Sequence, residues 1–257
     1  MRVILSFSSQ TDIGRRRALN EDTVFAADGL FVVCDGMGGY KAGDAASQLA
    51  TEVITMFVNR SGEDTEITWP YGFRPDMSFD GNRLRTAIKL ANRAVFRKGA
   101  SSEDYSGMGT TVVAMIASPS RAQMTFAHVG DSRIYLAREG IIEQLTRDDS
   151  WANVWGDKTM KHVLTKALGA QEDVDFEVRD RELVVDVEVG LVRAEFRVAL
   201  GLLIRGPLIL KPLAHLERAH ARHLQGVGEA DVVHLPGHHH TAAAVREAGI
   251  EETAIRR

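Results

Sequence analysis

The stretch from Asp12 to Ser47 constrains this chain most. Two short apolar runs, Thr23–Ala27 and Leu30–Cys34, flank Asp28-Gly29. An Asp-Gly pair between apolar runs predicts a hairpin, because a type I′ turn needs positive φ at both central residues. The second run leads into Cys34-Asp35-Gly36-Met37-Gly38-Gly39, then Ala42-Gly43 and Ala46-Ser47. A helix is expected over Lys41–Asn59, where Ala46, Leu49, Ala50, Val53, Ile54 and Phe57 recur on one face. A carboxylate is thus held at the end of a rigid strand, beside open backbone.

The remaining pattern alternates strand and helix. A strand is read at Val3–Ser8, a loop at 61–81, and a second helix at Arg83–Lys98 with Gly99 as its stop. Strands follow at Thr110–Ala117, Gln123–Val129 and Arg133–Ala137, with a short one at Ile141–Leu145. A Ser-Pro-Ser turn separates the first two, and Met160–Ala167 reads as a short helix ended by Gly169. Strands in meander order after paired helices favour an α+β fold over a doubly wound sheet.

Several function classes drop out. Apolar runs fall well short of the roughly 18 residues of a membrane helix, and the three-residue apolar run near the N-terminus is too short for a secretory core. A cytoplasmic protein without membrane contact is therefore expected. One cysteine, Cys34, excludes an internal disulfide and a cysteine-based zinc site. A net charge of −4 offers no electrostatic basis for nucleic-acid binding. The glycine-rich DGMGGYKAG lacks the Gly-Lys-Ser/Thr of a nucleotide-binding loop.

The chemistry-bearing residues fall into two clusters. Asp35 ends one strand, and Glu21 and Asp22 precede its partner strand, so all three reach the same sheet end. His128-Val129-Gly130-Asp131-Ser132-Arg133 repeats the pattern of strand, glycine turn and aspartate. Hard divalent cations take carboxylate and carbonyl oxygens, so two such aspartates plus Glu21 point to a metal-centred hydrolytic site. An arginine beside it suits phosphate, because its fork pairs with two oxygens. Each residue also has a plainer reading. Asp35 fits a turn cap, Arg17 lies in an Arg15-Arg16-Arg17 run that fits a solvated face, Asp22 fits an ion pair, Asp131 fits a turn residue, and His128 fits a packed histidine.

The stretches TDIGRRRALNED, LFVVCDGMGGYKAGDAAS, GMGTTVVAMI, AHVGDSRIYLAREG, IEQLTRDDSWAN and HVLTKALG carry a resemblance. In order and spacing, over residues 10 to about 178, the chain resembles the bacterial PPM (PP2C-type) metal-dependent serine/threonine protein phosphatases. The resemblance implies an α-β-β-α sandwich of two antiparallel sheets flanked by helices. It implies two Mn²⁺ or Mg²⁺ ions, with a third possible in bacterial members, activating a water that attacks phosphorus in line. Carried over by motif, Asp35 bridges the metals, the Gly36 carbonyl is a ligand, Glu21 holds the second metal through water, and Asp22 supports it. Arg17 binds substrate phosphate, and Asp131 belongs to the third metal site. The implied partners are proteins phosphorylated on Ser or Thr and a cognate kinase system; a monomer is expected.

The resemblance has a limit. The family continues with an SDGL-type and a GxDN-type motif whose aspartates complete the metal site, and neither occurs here. Residues 1–186 contain 17 Asp; residues 187–257 contain one, Asp231, and hold seven of the nine His. Two units are therefore read: a phosphatase-like domain over 1–186 and an atypical tail over 187–257. Two origins are open for the tail, a biased composition or a different source by recombination or a shifted reading frame. Val187–Val198 and Ile204–Leu210 are apolar enough for strands, and Leu213–Leu224 for a helix. Two functional readings follow: an active phosphatase, or a catalytically impaired relative that binds phosphoprotein without the distal aspartates.

Overall fold

The computed structural model describes residues 4–13, 19–39, 42–64, 66–155, 160, 163–183, 187–192, 198–205 and 245–247. The first sheet contains β2 (Asp22–Ala27), β3 (Leu30–Met37), β5 (Val112–Ser118), β6 (Gln123–Val129) and β9 (Val178–Glu182), in the order β2-β3-β5-β6-β9. The two-residue β4 (Gly109–Thr110) pairs with the end of β3. The second sheet has the order β12-β1-β11-β10-β7-β8, built from β1 (Ile4–Thr11), β7 (Arg133–Arg138), β8 (Ile141–Gln144), β10 (Val187–Val192), β11 (Val198–Arg205) and β12 (Val245–Glu247). Neighbouring strands are antiparallel in both.

Strand periodicity builds two cores. On β3, Leu30, Val32 and Cys34 pack toward helices α1 (Ala42–Glu63) and α2 (Phe79–Ser101), while Phe31 and Val33 face the second sheet. On β5, Val112, Ala114 and Ile116 alternate in the same way with Val113, Met115 and Ala117. A strand buried on both faces reads as a continuous apolar run, as VVAMIA does. Leu5, Ile134, Val189 and Leu191 close the inter-sheet core from the other side. The α+β expectation of two stacked antiparallel sheets holds, with α1 and α2 covering the first. The other α-helix among the described residues is the five-residue α3 (Trp151–Trp155).

The expected hairpin is present, with Asp28 at φ 51° and Gly29 at φ 79°. Other expectations change. The second helix begins at Phe79, capped by the Ser78 side chain, and runs through Gly99 to Ser101. Gly99 is there for close packing, because a Cβ would meet Met108 Cγ at 3.2 Å. The loop at 61–81 shrinks accordingly, and the Ser-Pro-Ser turn is a short 3-10 turn, Pro119–Arg121. Of the helix expected at Met160–Ala167, the described residues show only a 3-10 turn at its start, where the Val163 amide donates to Met160 O at 3.0 Å. The Trp151 amide donates to Val163 O at 2.9 Å and the Thr165 amide to Asp149 O at 2.8 Å, so this segment's backbone pairs with 149–151 instead.

Residues beyond 186 enter the sheet. β10 pairs with β7, and β11 lies between β10 and β1, so both occupy interior positions. Of the run Val187–Val198, residues 187–192 form β10, and Val198 opens β11. The expected helix at Leu213–Leu224 lies outside the described residues, as do residues 206–210 of the second apolar run.

Candidate metal centre

Asp22 and Asp35 are direct partners in the β2–β3 register. Val33 sits in the inter-sheet core and Val24 packs against it, so by alternation Asp22 and Asp35 share the face toward the second sheet. Asp22 is buried and Asp35 half-buried. β3 does not stop at Cys34 as the sequence suggests. It continues through Asp35, and Gly36 and Met37 pair with Thr110 and Gly109.

The Gly36 amide donates to the Glu21 carbonyl at 3.0 Å, which extends the ladder by one residue. A Cβ on Gly36 would lie 2.0 Å from Gly43 O, and one on Gly43 would lie 2.6 Å from Glu21 Oε1. The two glycines let the end of β3 and the first turn of α1 meet without side chains between them, with the Glu21 carboxylate over that turn. The glycine-rich DGMGG and AG sequences therefore serve close approach.

Asp131 lies in the turn where the chain crosses from β6 in the first sheet to β7 in the second. The residues after β8 clamp this turn. Arg133 makes a two-pronged bond to Asp148, Nε to Oδ1 at 2.8 Å and Nη2 to Oδ2 at 2.7 Å. The bonds to Asp148 hold the Arg133 guanidinium well above its ordinary pKa. The Gly130 amide donates to Asp149 Oδ2 at 3.1 Å, and the Asp149 amide donates back to Gly130 O at 2.9 Å. Lys166 Nζ and His128 Nε2 stand 3.7 and 4.0 Å from the Asp149 carboxylate. His128 also contacts Arg147 O at 2.8 Å.

Thr111 joins the two aspartate positions: its Oγ1 accepts from the Asp35 amide at 3.1 Å and lies 2.8 Å from Ser132 Oγ. Glu21, Asp22, Asp35, Gly36 and Asp131 thus belong to connected elements at one end of the sandwich. Arg17 lies outside the described residues, as does Asp231. Sequence reasoning passed over Thr111, Ser132, Asp148 and Asp149. The signals for them were the Thr-Thr pair before β5 and the Asp-Asp pair after the β7–β8 hairpin.

The donors are all oxygens, three aspartates, a glutamate and a backbone carbonyl, which is the donor set of a hard divalent cation. In number they fall short. Among the described residues, no three His, Cys, Asp or Glu side chains converge closely enough to hold a metal ion. Cys34 is no donor, since burial pushes its thiol up to about 12.

The family model for protein phosphatase 2C matches residues 14–170. The chain belongs to the protein phosphatase 2C family. It is 34% identical over 156 residues to the serine/threonine protein phosphatase PstP of Mycobacterium tuberculosis, covering 61% of this chain and 27% of that one. Over 187 residues it is 33% identical to the serine/threonine phosphatase stp of Listeria monocytogenes, covering 65% of this chain and 68% of that one. The chain thus spans about a quarter of the length of the first relative and two thirds of the second. In fold it is similar to the solved catalytic domain of PstP in complex with two manganese ions. That match has a TM-score of 0.63 at 24% identity and covers 79% of this chain and all of that domain. The protein phosphatase 2C motifs of this chain are the same stretches that build β2, β3, the first turn of α1 and the β6–β7 turn. Among the described residues, no helix is long and apolar enough to cross a membrane.

Proposed function

We propose that this chain is a metal-dependent protein serine/threonine phosphatase that hydrolyses phosphoserine and phosphothreonine with a metal-activated water. The observation that carries the reading is the fixed pairing of Asp22 with Asp35, next to Glu21 and the Gly36 carbonyl and tied through Thr111 to the Asp131 turn. Two Mn²⁺ or Mg²⁺ ions fit this donor set in kind, in line with the manganese complex of the similar PstP domain. Asp35 and the Gly36 carbonyl would hold the metals from the strand end, Glu21 and Asp22 from the partner strand, and Asp131 a third ion from the turn.

Bound metal would lower the pKa of its water and neutralise phosphate charge. The protein then has little covalent work to do. Its carboxylates orient by being fixed to a sheet, and Arg17 pairs with the substrate's phosphate oxygens through its fork. No phosphoenzyme is needed. The substrates are proteins phosphorylated on Ser or Thr by a cognate kinase, and the setting is a cytoplasmic monomer.

The test is steady-state release of phosphate from a phosphothreonine peptide in Mn²⁺. Turnover that a chelator abolishes, with Arg17→Ala raising KM more than it lowers kcat, supports the assignment. Tight peptide binding without turnover in either metal contradicts it and favours a phosphoprotein-binding relative without the distal aspartates.

A further inference from the structure

Helix α2 is charged against the rest of the chain. Its sequence FDGNRLRTAIKLANRAVFRKGAS holds six Lys or Arg and one acidic residue, Asp80, while the chain as a whole carries a net charge of −4. Asp80 is buried and paired with Arg83 and Arg121, so it neutralises nothing on the open side. Arg85, Lys89, Arg93 and Arg97 follow one another at four-residue spacing, which lines them up along one side of the helix. The other side, with Leu84, Ile88, Ala91 and Val95, lies in the core. Like charges four apart disfavour a helix, and the helix dipole favours cations only in the last turn, so helix stability does not account for this row.

The row divides in two. Near its start the cations are answered. Arg85 Nη1 donates to Tyr71 O at 3.2 Å, and its charge reaches Asp76 and Asp173. Lys89 Nζ donates to Asp173 Oδ1 at 2.7 Å and lies 5.5 Å from the centre of the Tyr71 ring. Toward its end the charge is left open. Arg93 and Arg97 are exposed, and among the described residues neither has a carboxylate partner.

The open end is the one beside the candidate metal centre. The start of α2 is tied through Asp80 to Ser118, at the far end of β5. Further along, Asn92 accepts from the Gly169 amide at 2.9 Å, Leu168 and Thr110 exchange backbone bonds, and Thr110 is the register partner of Gly36. A Cβ on Gly99 would lie 3.2 Å from Met108 Cγ, and one on Gly38 would lie 3.4 Å from Met108 Cα. Arg93 and Arg97 thus sit on the turns of α2 that pack beside residues 108–110, the segment paired with the end of the Asp35 strand.

We propose that Arg93 and Arg97 form a docking surface for an acidic segment that flanks the phosphorylated residue of a protein substrate. This deepens, and rests on, the phosphatase reading given under Proposed function. Two unanswered guanidiniums on an otherwise acidic chain draw negative charge to this side of the molecule and leave it repelled elsewhere. Each exposed ion pair changes affinity by only about 1.4- to 5-fold. The surface therefore sets preference among substrates and leaves phosphate recognition to the site itself.

The test compares two phosphothreonine peptides of equal length in Mn²⁺, one flanked by aspartates and one by serines. The proteins are wild type, Arg93→Glu/Arg97→Glu, and Arg60→Glu/Arg138→Glu, which changes net charge equally at two other exposed positions. Wild type is expected to show a KM about fivefold lower for the acidic peptide at low salt, with the difference gone at 1 M salt, where the Debye length is about 3 Å. The α2 variant is expected to lose this preference while keeping its kcat and its KM for the serine-flanked peptide, and the control variant to retain the preference. Equal KM for both peptides in wild type overturns the docking surface, as does a preference that survives in the α2 variant or disappears equally in the control. A wild type that turns over neither peptide defeats the phosphatase reading separately. Fluorescence anisotropy of the same labelled peptides then decides the surface: tighter binding of the acidic peptide, lost in the α2 variant, supports it, and equal binding overturns it.

Discussion

Asp22 and Asp35 face each other as direct partners across the β2–β3 ladder, at the sheet end where Glu21 and Gly36 continue the pairing. Like charges directly opposite on one face of a sheet are destabilising. A cation bound by both carboxylates would reverse the sign. Asp22→Asn is therefore expected to raise the metal-free stability by about 0.5 kcal/mol, yet to shrink the melting-temperature rise that Mn²⁺ produces. Paired thermal melts with and without Mn²⁺ check both directions; an unchanged Mn²⁺ response would leave Asp22 with no part in the site.

Gly36 tests the close approach of strand and helix. An added Cβ meets two backbone oxygens, Gly43 O at 2.0 Å and Glu21 O at 2.6 Å, and neither can rotate away. Gly36→Ala is expected to destabilise the fold by about 2 kcal/mol, within the range for overpacking. Gly39→Ala is the contrast, because nothing lies within 4 Å of its Cβ position. Urea unfolding of the two variants should separate them.

Asp80 anchors the helical layer far from the metal centre. It is buried and accepts from Ser118 at 2.5 Å, from Arg83 at 2.7 Å and from Arg121, tying the start of α2 to the end of β5. Burial alone would raise its pKa, but bonds from Ser118, Arg83 and Arg121 outweigh it and hold the carboxyl below its ordinary 3.8. A depressed carboxyl contributes stability above its unfolded pKa and loses it as pH falls through the folded value. Asp80→Asn is expected to be less stable by about 3 kcal/mol at pH 7, with the gap to wild type closing below pH 3.8. Denaturant midpoints at pH 7 and pH 3 read the difference directly.

Cys34 is expected to be inert while the chain is folded. Its thiol is fully buried and pushed up to about 12, so thiolate is scarce at neutral pH. Iodoacetamide should label it only in denaturant. Rapid labelling of native protein would show that the α1–β3 packing opens.

Much of the first sheet was legible because local and tertiary demands agree there. Asp28-Gly29 sets the hairpin, and the apolar run VVAMIA reads as a strand, which the structure buries on both faces. The placing of Glu21, Asp22, Asp35 and Asp131 on connected elements was legible because each sits at a strand end or in a glycine turn. Two kinds of feature were not. Met160–Ala167 has helical spacing, but Asp149 and Trp151 engage its backbone groups, and sequence spacing carries no trace of a partner from another segment. Thr111 looks like any strand threonine. Its significance comes from one ladder bond that passes to its hydroxyl, and only register and distance reveal that. The strands β10 and β11 were legible in part, since Val187–Val198 and Ile204–Leu210 are apolar enough for strands and Val189 and Leu191 alternate as inward positions should.

The central claim is that Asp35 would hold the metal whose bound water carries out phosphoester hydrolysis, and one comparison tests it most directly. Phosphate release from a phosphothreonine peptide is measured with and without Mn²⁺, for wild type and Asp35→Asn, both checked for folding by circular dichroism. The account predicts Mn²⁺-dependent turnover in wild type and a loss of at least about 100-fold in Asp35→Asn. Folded wild-type protein that releases no phosphate, or an Asp35→Asn variant that turns over as fast as wild type, would contradict it.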